Sequence, residues 1–270
     1  MNTRHRLLLF ILLGAGLLLA ACTDDNPGIG RAGGEPGEEP SGDLVRQTID
    51  VTSFDSLDIG SGFQVTVRRG PPSTVIEVDD NLLDRVVATN RDGLLRITLE
   101  SGAPFRDATL RATITMPTLA EVRLSGATRV EFLEPVPIPA DLDIDLAGAS
   151  RLTGDFTAAA ISIRAEGASR IDAAKRAPIV DGRALGASRL DFSGTAGKLE
   201  LELSGASHGE LRDLETRRAS LDLSGASDLE ITVTARITRL NLTGASEIDY
   251  FGNAVIDSQT VTGASRVNQR

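Results

Sequence analysis

The feature that most constrains the fold of this chain is a tripeptide, Gly-Ala-Ser or Gly-Ala-Thr, that occurs eight times. The copies begin at Gly126, Gly148, Gly167, Gly186, Gly205, Gly225, Gly244 and Gly263. The spacings between them are 22, 19, 19, 19, 20, 19 and 19 residues. A period this regular is typical of a repeat protein, in which each unit packs mainly against its two neighbours.

Within each unit, apolar and polar residues alternate with a period of two, as in residues 221–231. This alternation is typical of a strand with one buried face, and no unit carries the 3.6-residue apolar stripe of a helix. The positions two before, four before and four after each Gly are mostly Leu, Ile or Val, and we expect them to point inward. The pattern therefore predicts an all-β fold, a single-stranded parallel β-helix with about 19–20 residues per coil and about 4.8 Å of rise per coil.

The Gly-Ala-Ser step itself has two interpretations. In one, it is a corner of the coil at which Gly adopts a positive φ. In the other, the strand runs straight through, Gly and Ser point inward at a narrow waist, and stacked Ser hydroxyls form a ladder of hydrogen bonds. The unbroken alternation from Leu221 to Val233 favours the waist.

The segment before the repeats is less regular but still rich in strand patterns, as in residues 63–67, 74–78 and 94–99. A solenoid needs an atypical unit to cover its first coil. We therefore interpret residues 44–270 as one β-helix domain, with a β-rich N-terminal start over 44–117 and the Gly-Ala-Ser repeats over 118–270.

Residues 116–127 and the Leu-x-Leu-Ser-Gly-Ala-Ser units that follow resemble a bacterial family, the putative auto-transporter adhesin, head GIN domain. The upstream segments Phe54-Asp-Ser-Leu-Asp-Ile and Phe63-Gln-Val-Thr-Val are also similar to the opening of that family, so the resemblance covers roughly residues 48–267. It implies a single-stranded right-handed β-helix in a lipoprotein or secreted protein. It brings no catalytic or cofactor-binding residues with it.

The first 21 residues have the features of a secretory signal peptide. Arg4 and Arg6 form a basic start, and residues 7–21 carry no charge. The run ends in Leu19-Ala20-Ala21-Cys22, which resembles the bacterial lipobox, and Cys22 is the only Cys of the chain. That resemblance implies cleavage after Ala21 and acylation of Cys22. By resemblance to Gram-negative lipoproteins, Thr23 rather than Asp after the Cys favours the outer membrane over the inner membrane.

Residues 22–43 follow as a lipidated Cys and a tether rich in Gly, Pro and Glu, too polar to offset the entropy cost of ordering. The formal net charge of the full chain is -10. Removal of residues 1–21 takes away two arginines and no acid, which leaves -12. So acidic a chain argues against a nucleic-acid partner, which needs a basic face.

Each strand that follows a Gly contributes one residue to each of two outward columns of mostly charged or polar side chains. The position three after each Gly holds Arg129, Arg151, Arg170, Arg189, His208, Asp228, Glu247 and Arg266. The position five after it holds Glu131, Thr153, Asp172, Asp191, Glu210, Glu230, Asp249 and Asn268. We expect a surface network of ion pairs that relieves like-charge stacking, each worth about 0–1 kcal/mol. The functional alternative is a groove in which the arginines bind an anionic glycan.

Other polar candidates are interpreted as surface features. Asp141, Asp143 and Asp145 alternate along one strand and can in principle bind Ca²⁺, but they lack the spacing of calcium-binding repeats, so we expect a solvated acidic strand and no metal site. His208 is the only His after processing, and it occupies a surface slot of the repeat rather than a Ser-His-Asp triad. Phe132, Phe192 and Tyr250 fall on inward positions and are expected in the core.

These observations lead to the hypothesis of a non-enzymatic envelope lipoprotein, a structural or adhesion-like module that binds an envelope component, a glycan or a protein. A polysaccharide lyase or hydrolase is the alternative, because β-helices host such enzymes. No cofactor is expected. The last coil, with no capping helix in the sequence, is expected to be exposed and able to pair with another copy of the chain.

Overall fold

The structure is a computed structural model that describes residues 39–100 and 107–270. Twenty strands and one short 3-10 helix, Asp80–Arg85, make up most of these residues. The strands are β1 Leu44–Ile49, β2 Ser56–Ile59, β3 Gln64–Arg69, β4 Ser73–Asp79, β5 Val86–Arg91, β6 Leu94–Leu99, β7 Leu110–Met116, β8 Glu121–Leu124, β9 Arg129–Phe132, β10 Leu142–Leu146, β11 Arg151–Thr157, β12 Ala160–Ala165, β13 Arg170–Ala184, β14 Arg189–Leu203, β15 His208–Leu223, β16 Asp228–Leu242, β17 Glu247–Phe251, β18 Val255–Ile256, β19 Gln259–Val261 and β20 Arg266–Gln269. The predicted signal peptide, Cys22 and residues 23–38 of the predicted tether lie outside the described residues.

The repeat region is a stack of coils in which each strand pairs in parallel with the strand one coil away. Between β13 and β14 the partners run from Arg170↔Arg189 to Ala184↔Leu203, an offset of one 19-residue repeat. The 20-residue repeat between Gly205 and Gly225 is accommodated by a register shift between β14 and β15. The predicted all-β solenoid with 19–20 residues per coil is therefore confirmed, with about 8 turns.

The Gly-Ala-Ser step is a corner, so the predicted waist is wrong. The eight repeat glycines have φ between +73° and +84°, and the Gly and Ala of each repeat are exposed. The alternation misled because it continues across the corner. In one unit, Leu223 and Ser227 both point inward, and the even spacing between them hides the outward turn at Gly225.

Each corner stacks directly on the corner of the preceding coil. The Ala N–H donates to the carbonyl oxygen of the Gly one coil before at 2.7 Å, in seven successive corners from Ala149 to Ala264. A Cβ on any of the seven upper glycines would lie within 3.0 Å of that carbonyl oxygen. The seven buried Ser and Thr hydroxyls mainly donate within their own corner, to the carbonyl three residues earlier at 2.8–3.0 Å, and do not form the predicted hydroxyl ladder.

The interior is a continuous column of the predicted inward residues. Leu203, Leu223 and Leu242, each two residues before a Gly, are at most 1% exposed. Phe132, Phe192 and Tyr250 are buried, as predicted. The column loses its cover at the last coil, where Val261 is 39% exposed. Pairing of this coil with another copy of the chain stays a prediction.

The strands of the N-terminal start belong to the same stack, but their order in the stack differs from their order in the chain. Strand β2 lies between β6 and β8, and β3 lies between β7 and β9, all in parallel. Antiparallel strands close this end: β4 pairs with β7, β1 with β4, and β5 with β6. The helix Asp80–Arg85 joins β4 to β5 and buries Leu82 completely.

One side chain in this interior is a lysine. Lys175 is 1% exposed, and its Nζ lies 2.8 Å from the centroid of the Phe192 ring and has no hydrogen-bond partner. Burial holds the pKa of Lys175 well below its ordinary value of 10.5, because the core disfavours the charged amine. The side chain therefore fills core volume at the cost of an unsatisfied polar group.

The stacked corners predict the effect of adding a methyl group. Gly186→Ala should lower the free energy of unfolding by roughly 2–5 kcal/mol, because φ is +84° and the new Cβ would meet Gly167 O at 2.7 Å. Gly62→Ala is the matched control, since Gly62 has the same φ of +84° but nothing within 4 Å of the added Cβ. It should cost only the strain, about 1–2 kcal/mol. Equal losses in thermal unfolding would contradict the stacking argument.

The buried amine makes a second prediction. Lys175→Met should stabilise the protein by roughly 1–3 kcal/mol at neutral pH, which is about 2–4 °C in Tm per kcal/mol, because Met fills the space without a polar group. Lys198→Met, at the other and exposed lysine of the chain, should stay within about 0.5 kcal/mol of wild type.

The gain from Lys175→Met should depend on pH in a defined direction. Below pH 10.5 the unfolded chain binds a proton on Lys175 that the folded chain releases, so the free energy of unfolding of the wild type falls as pH falls. The advantage of the variant should therefore be smallest near pH 10.5 and grow as pH is lowered. A constant difference in Tm across that range would show that Lys175 keeps its proton in the fold.

Candidate functional site

The two outward columns predicted after each Gly are present on one face of the solenoid. The pairing register places Arg151 between Arg129 and Arg170, and then stacks Arg189 and His208 in the same column. The neighbouring column holds Thr153, Asp172, Asp191 and the other residues five after each Gly. Adjacent members of a column are separated by the strand spacing of about 4.8 Å.

Ion pairs connect the columns diagonally, from the arginine of one coil to the acid of the next. Arg151 pairs with Asp172, and Arg189 pairs with Glu210. Arg170 pairs with Asp172 in its own coil at 2.7 Å and with Asp191 in the next at 3.4 Å. The predicted surface network is therefore confirmed along this part of the face.

The pKa values of two acids in this column shift in opposite directions. The pKa of Asp191 is raised, first by partial burial and then by the nearby carboxylates of Glu210 and Asp172, and Arg170 and Arg189 offset only part of this. The pKa of Asp249 is lowered instead, because Asn268 and Arg270 donate hydrogen bonds to its carboxylate. The ionised carboxylate is therefore less favoured at Asp191 and more favoured at Asp249 than in a free aspartate.

The diagonal pattern breaks at Arg129. The position that should hold its acid is Thr153, and among the described residues no carboxylate lies within ion-pair distance of Arg129. An open groove of about 550 Å³ lies at this break. We call it the arginine groove; it is lined by Gln64, Val65, Thr66, Arg111, Ala112, Thr113, Arg129, Val130, Glu131, Arg151 and Thr153.

The groove continues toward the N-terminal end of the stack. A hollow of about 340 Å³ shares Arg111, Ala112 and Thr113 with it and extends to Glu77 and Arg46. Glu77 pairs with Arg111 at 3.0 Å and also with Arg46. The hydrogen bonds from Arg46 and Arg111 lower the pKa of Glu77, so this carboxylate stays charged and is shared by two arginines.

Charge is distributed unevenly along the face. The N-terminal part of this face is formed by six strands that lie in the order β1, β4, β7, β3, β9 and β11. The two columns on these strands hold four arginines and two glutamates: Arg46, Arg111, Arg129 and Arg151, with Glu77 and Glu131. In the same two columns of β13, β14, β15, β16, β17 and β20, three arginines stand against seven carboxylates: Arg170, Arg189 and Arg266, with Asp172, Asp191, Glu210, Asp228, Glu230, Glu247 and Asp249. The arginine groove is thus a basic region of an acidic protein.

The other sequence candidates are placed on the surface. His208 Nδ1 lies 3.0 Å from Asp228 Oδ2, and within the described ranges no Ser or Thr hydroxyl is hydrogen-bonded to it. Asp141, Asp143 and Asp145 are all exposed. Asp145 lies between Arg123 and Arg164 in the strand register.

Residues 39–100 and 107–270 contain no group of three or more His, Cys, Asp or Glu side chains arranged to hold a metal ion. No helix in the same ranges is long and apolar enough to cross a bilayer. The predicted lipidation site, Cys22, lies outside these ranges.

Sequence reasoning identified only part of the groove. Arg129, Arg151, Glu131 and Thr153 belong to the predicted columns, but Arg111 and Gln64 do not. Those two residues reach the column because β7 and β3 pair side by side, with Arg111↔Gln64 and Gln64↔Arg129 in register. No local pattern signals that pairing, because β7 carries no Gly-Ala-Ser corner.

Comparisons with known proteins show one family, through a family model, and one fold, through solved structures. Residues 53–254 match the family described as "Putative auto-transporter adhesin, head GIN domain". No curated protein matches the chain. A solved structure named putative adhesin from Parabacteroides distasonis has a TM-score of 0.78 at 16% identity, with 86% of this chain and 99% of that chain covered.

Two further solved structures are similar. One is named putative lipid binding protein, also from Parabacteroides distasonis, with a TM-score of 0.72 at 14% identity, covering 86% of this chain and 99% of that chain. The other is named putative adhesin, from Bacteroides fragilis, with a TM-score of 0.67 at 19% identity, covering 87% of this chain and 100% of that chain. At these identities the likeness shows the fold alone.

The break in the ion-pair pattern can be repaired by one substitution. Thr153→Asp places a carboxylate beside Arg129 as Asp172 lies beside Arg151, but also between Glu131 and Asp172 in the acidic column. The new ion pair should outweigh this repulsion by a small margin and stabilise the protein by about 0.2–0.5 kcal/mol at low salt. The gain should disappear near 1 M salt, where charges are screened within about 3 Å. Thr153→Asn, of similar size but neutral, should show no salt-dependent gain in Tm. The same salt response in both variants would contradict the inference that Arg129 lacks an acidic partner.

Proposed function

Because the chain belongs to the family described as putative auto-transporter adhesin, head GIN domain, we propose that it is a non-enzymatic binding module of the bacterial cell envelope. The protein is anchored by lipid on Cys22, with the outer membrane as its site in a Gram-negative host. Its partner is a glycan or a protein of the envelope or of a neighbouring cell surface.

The observation that carries this proposal is the vertical alignment of outward side chains. The hydrogen bonds between successive corners fix the coils at one spacing, so the same outward position recurs along the solenoid. A repeated, rigid surface suits a long partner, because several weak contacts made at once add up without a new ordering cost for each. Such a surface suits adhesion, which needs no reactive group.

The anchor is supported by the position of the only cysteine. Cys22 ends an uncharged run after two arginines, in the sequence Leu-Ala-Ala-Cys. One acyl chain gives only marginal membrane binding, whereas two or more hold a protein stably. The polar residues between Cys22 and the first strand would then hold the solenoid away from the lipid surface.

A polysaccharide-processing enzyme is the second candidate, and one feature favours it. A hollow of about 300 Å³ next to the arginine groove is lined by Asp155, Asp172 and Asp191 among others, and paired carboxylates are what glycoside hydrolysis needs. Arg170 binds both Asp172 and Asp191, which favours a structural role for these acids. The appearance of new chain ends when the purified protein is incubated with uronate polymers would establish the enzyme and exclude a purely binding role.

The anchor and the function can be tested together in a strain that lacks the gene. Complementation with the wild type should restore attachment or envelope integrity and place the protein in the membrane fraction with labelled palmitate. Cys22→Ser should leave a folded protein without label and without restored attachment. The neighbouring substitution Thr23→Ser is the control and should behave as wild type.

Each part of the proposal has its own contrary result. If Cys22→Ser still incorporates palmitate, the anchor is wrong. If the deletion strain attaches normally and its envelope is intact, the adhesion-like function is wrong.

A further inference from the structure

We propose that the arginine groove binds an acidic polysaccharide, through its carboxylate or sulfate groups, with Arg111, Arg129 and Arg151 as the anion-binding residues. This inference rests on the proposed function and names the chemical class of the partner. It concerns the stretch of the face formed by β7, β3, β9 and β11, where one outward column holds three arginines and the other a single carboxylate, Glu131.

The first support is an excess of positive charge that the protein itself does not neutralise. Arg129 has no carboxylate within ion-pair distance in the described residues. Arg151 shares Asp172 with Arg170, and Arg111 shares Glu77 with Arg46. Each of the three arginines therefore keeps guanidinium N–H donors for a ligand, and a guanidinium binds carboxylate or sulfate oxygens with two parallel hydrogen bonds.

The second support is the row of neutral polar groups beside these arginines. Gln64, Thr66, Thr113 and Thr153 line the groove, and none of their side chains makes a hydrogen bond in the described part of the protein. Hydroxyl and amide groups both donate and accept. Sugar hydroxyls do the same, so a chain of sugars carrying occasional acidic groups complements a surface that alternates arginine with hydroxyl and amide groups.

The third support is the length of the site. Arg111 lies on β7 and Arg151 lies on β11, the outer two of four neighbouring strands in the order β7, β3, β9 and β11. Three strand spacings therefore separate the backbone positions of the two arginines, a distance of about 14 Å. That length spans several sugar units rather than one small anion. The groove is open to solvent along its length, so a polymer can lie in it without threading.

Nucleic acids and anionic membranes fit the same groove less well. No aromatic side chain lines it, so bases have no surface on which to stack. From the next coil onward the same face is acidic, with seven carboxylates spread over β13, β14, β15, β16, β17 and β20, and this repels a densely charged phosphate backbone or a lipid surface. Both therefore serve as contrary outcomes of the test.

The test is titration of the full-length chain, purified in a neutral detergent, with three probes: oligogalacturonate, sulfated dextran and neutral dextran. The wild type should bind at least one of the two acidic probes and not neutral dextran, and comparison of the two separates carboxylate from sulfate as the recognised group. Binding should weaken as salt is raised.

Four variants identify the groove as the binding site. Arg129→Gln and Thr153→Asp should each weaken binding at least tenfold, the first by removing a donor and the second by adding a competing carboxylate. Arg189→Gln and Arg236→Gln are the matched controls and should stay within twofold of wild type, since each removes an arginine that lies outside the groove and is already paired, with Glu210 and with Asp257. Melting temperatures verify that each variant is folded.

The contrary results differ from those of the proposed function. No binding of either acidic probe, equal loss in all four variants, or stronger binding of DNA or anionic vesicles than of the acidic glycans would overturn the groove assignment. If Thr153→Asp still restores attachment in the deletion strain, the groove is wrong while the adhesion function stands. If the wild type binds the acidic glycan but the deletion strain attaches normally, the groove stands and the adhesion function is wrong.

Discussion

The structure depends on one contact, the hydrogen bond from each corner Ala N–H to the Gly carbonyl one coil earlier, at 2.7 Å. The contact explains why these residue types recur. Gly is required by the positive φ and by the carbonyl that occupies the space of a Cβ, and the buried Ser hydroxyl satisfies a carbonyl of the same corner. Because the corner admits little variation, every coil must start at the same place and with the same direction.

A fixed stack has opposite consequences on its two sides. Inside, it places Leu on Leu and Ile on Ile, which buries apolar surface continuously and tolerates exceptions such as Lys175, packed on Phe192. Outside, it places arginine on arginine at about 4.8 Å, which is unfavourable unless an acid intervenes. The neighbouring acidic column offsets this repulsion through the diagonal ion pairs Arg151–Asp172 and Arg189–Glu210.

This electrostatic pattern also indicates where the surface is available for a partner. Where every arginine has its acid, the face is internally satisfied and offers little to an anion. Where Thr153 replaces the acid, Arg129 keeps its donors, and the N-terminal half of the face is basic while the rest is acidic. A regular solenoid thus acquires a local site through one irregularity in a column, without any change in its backbone.

The sequence by itself determined the period, the strand character, the inward columns and the two outward columns, because a repeat of 19–20 residues with a period of two allows few other arrangements. It did not decide between waist and corner, since Leu223 and Ser227 are both inward whether or not Gly225 turns outward. Only the tertiary structure decided that β3 lies between β7 and β9. That pairing brings Arg111, Gln64 and Arg129 together from distant parts of the chain, and pairing between distant strands depends on how whole faces pack, which no local pattern encodes.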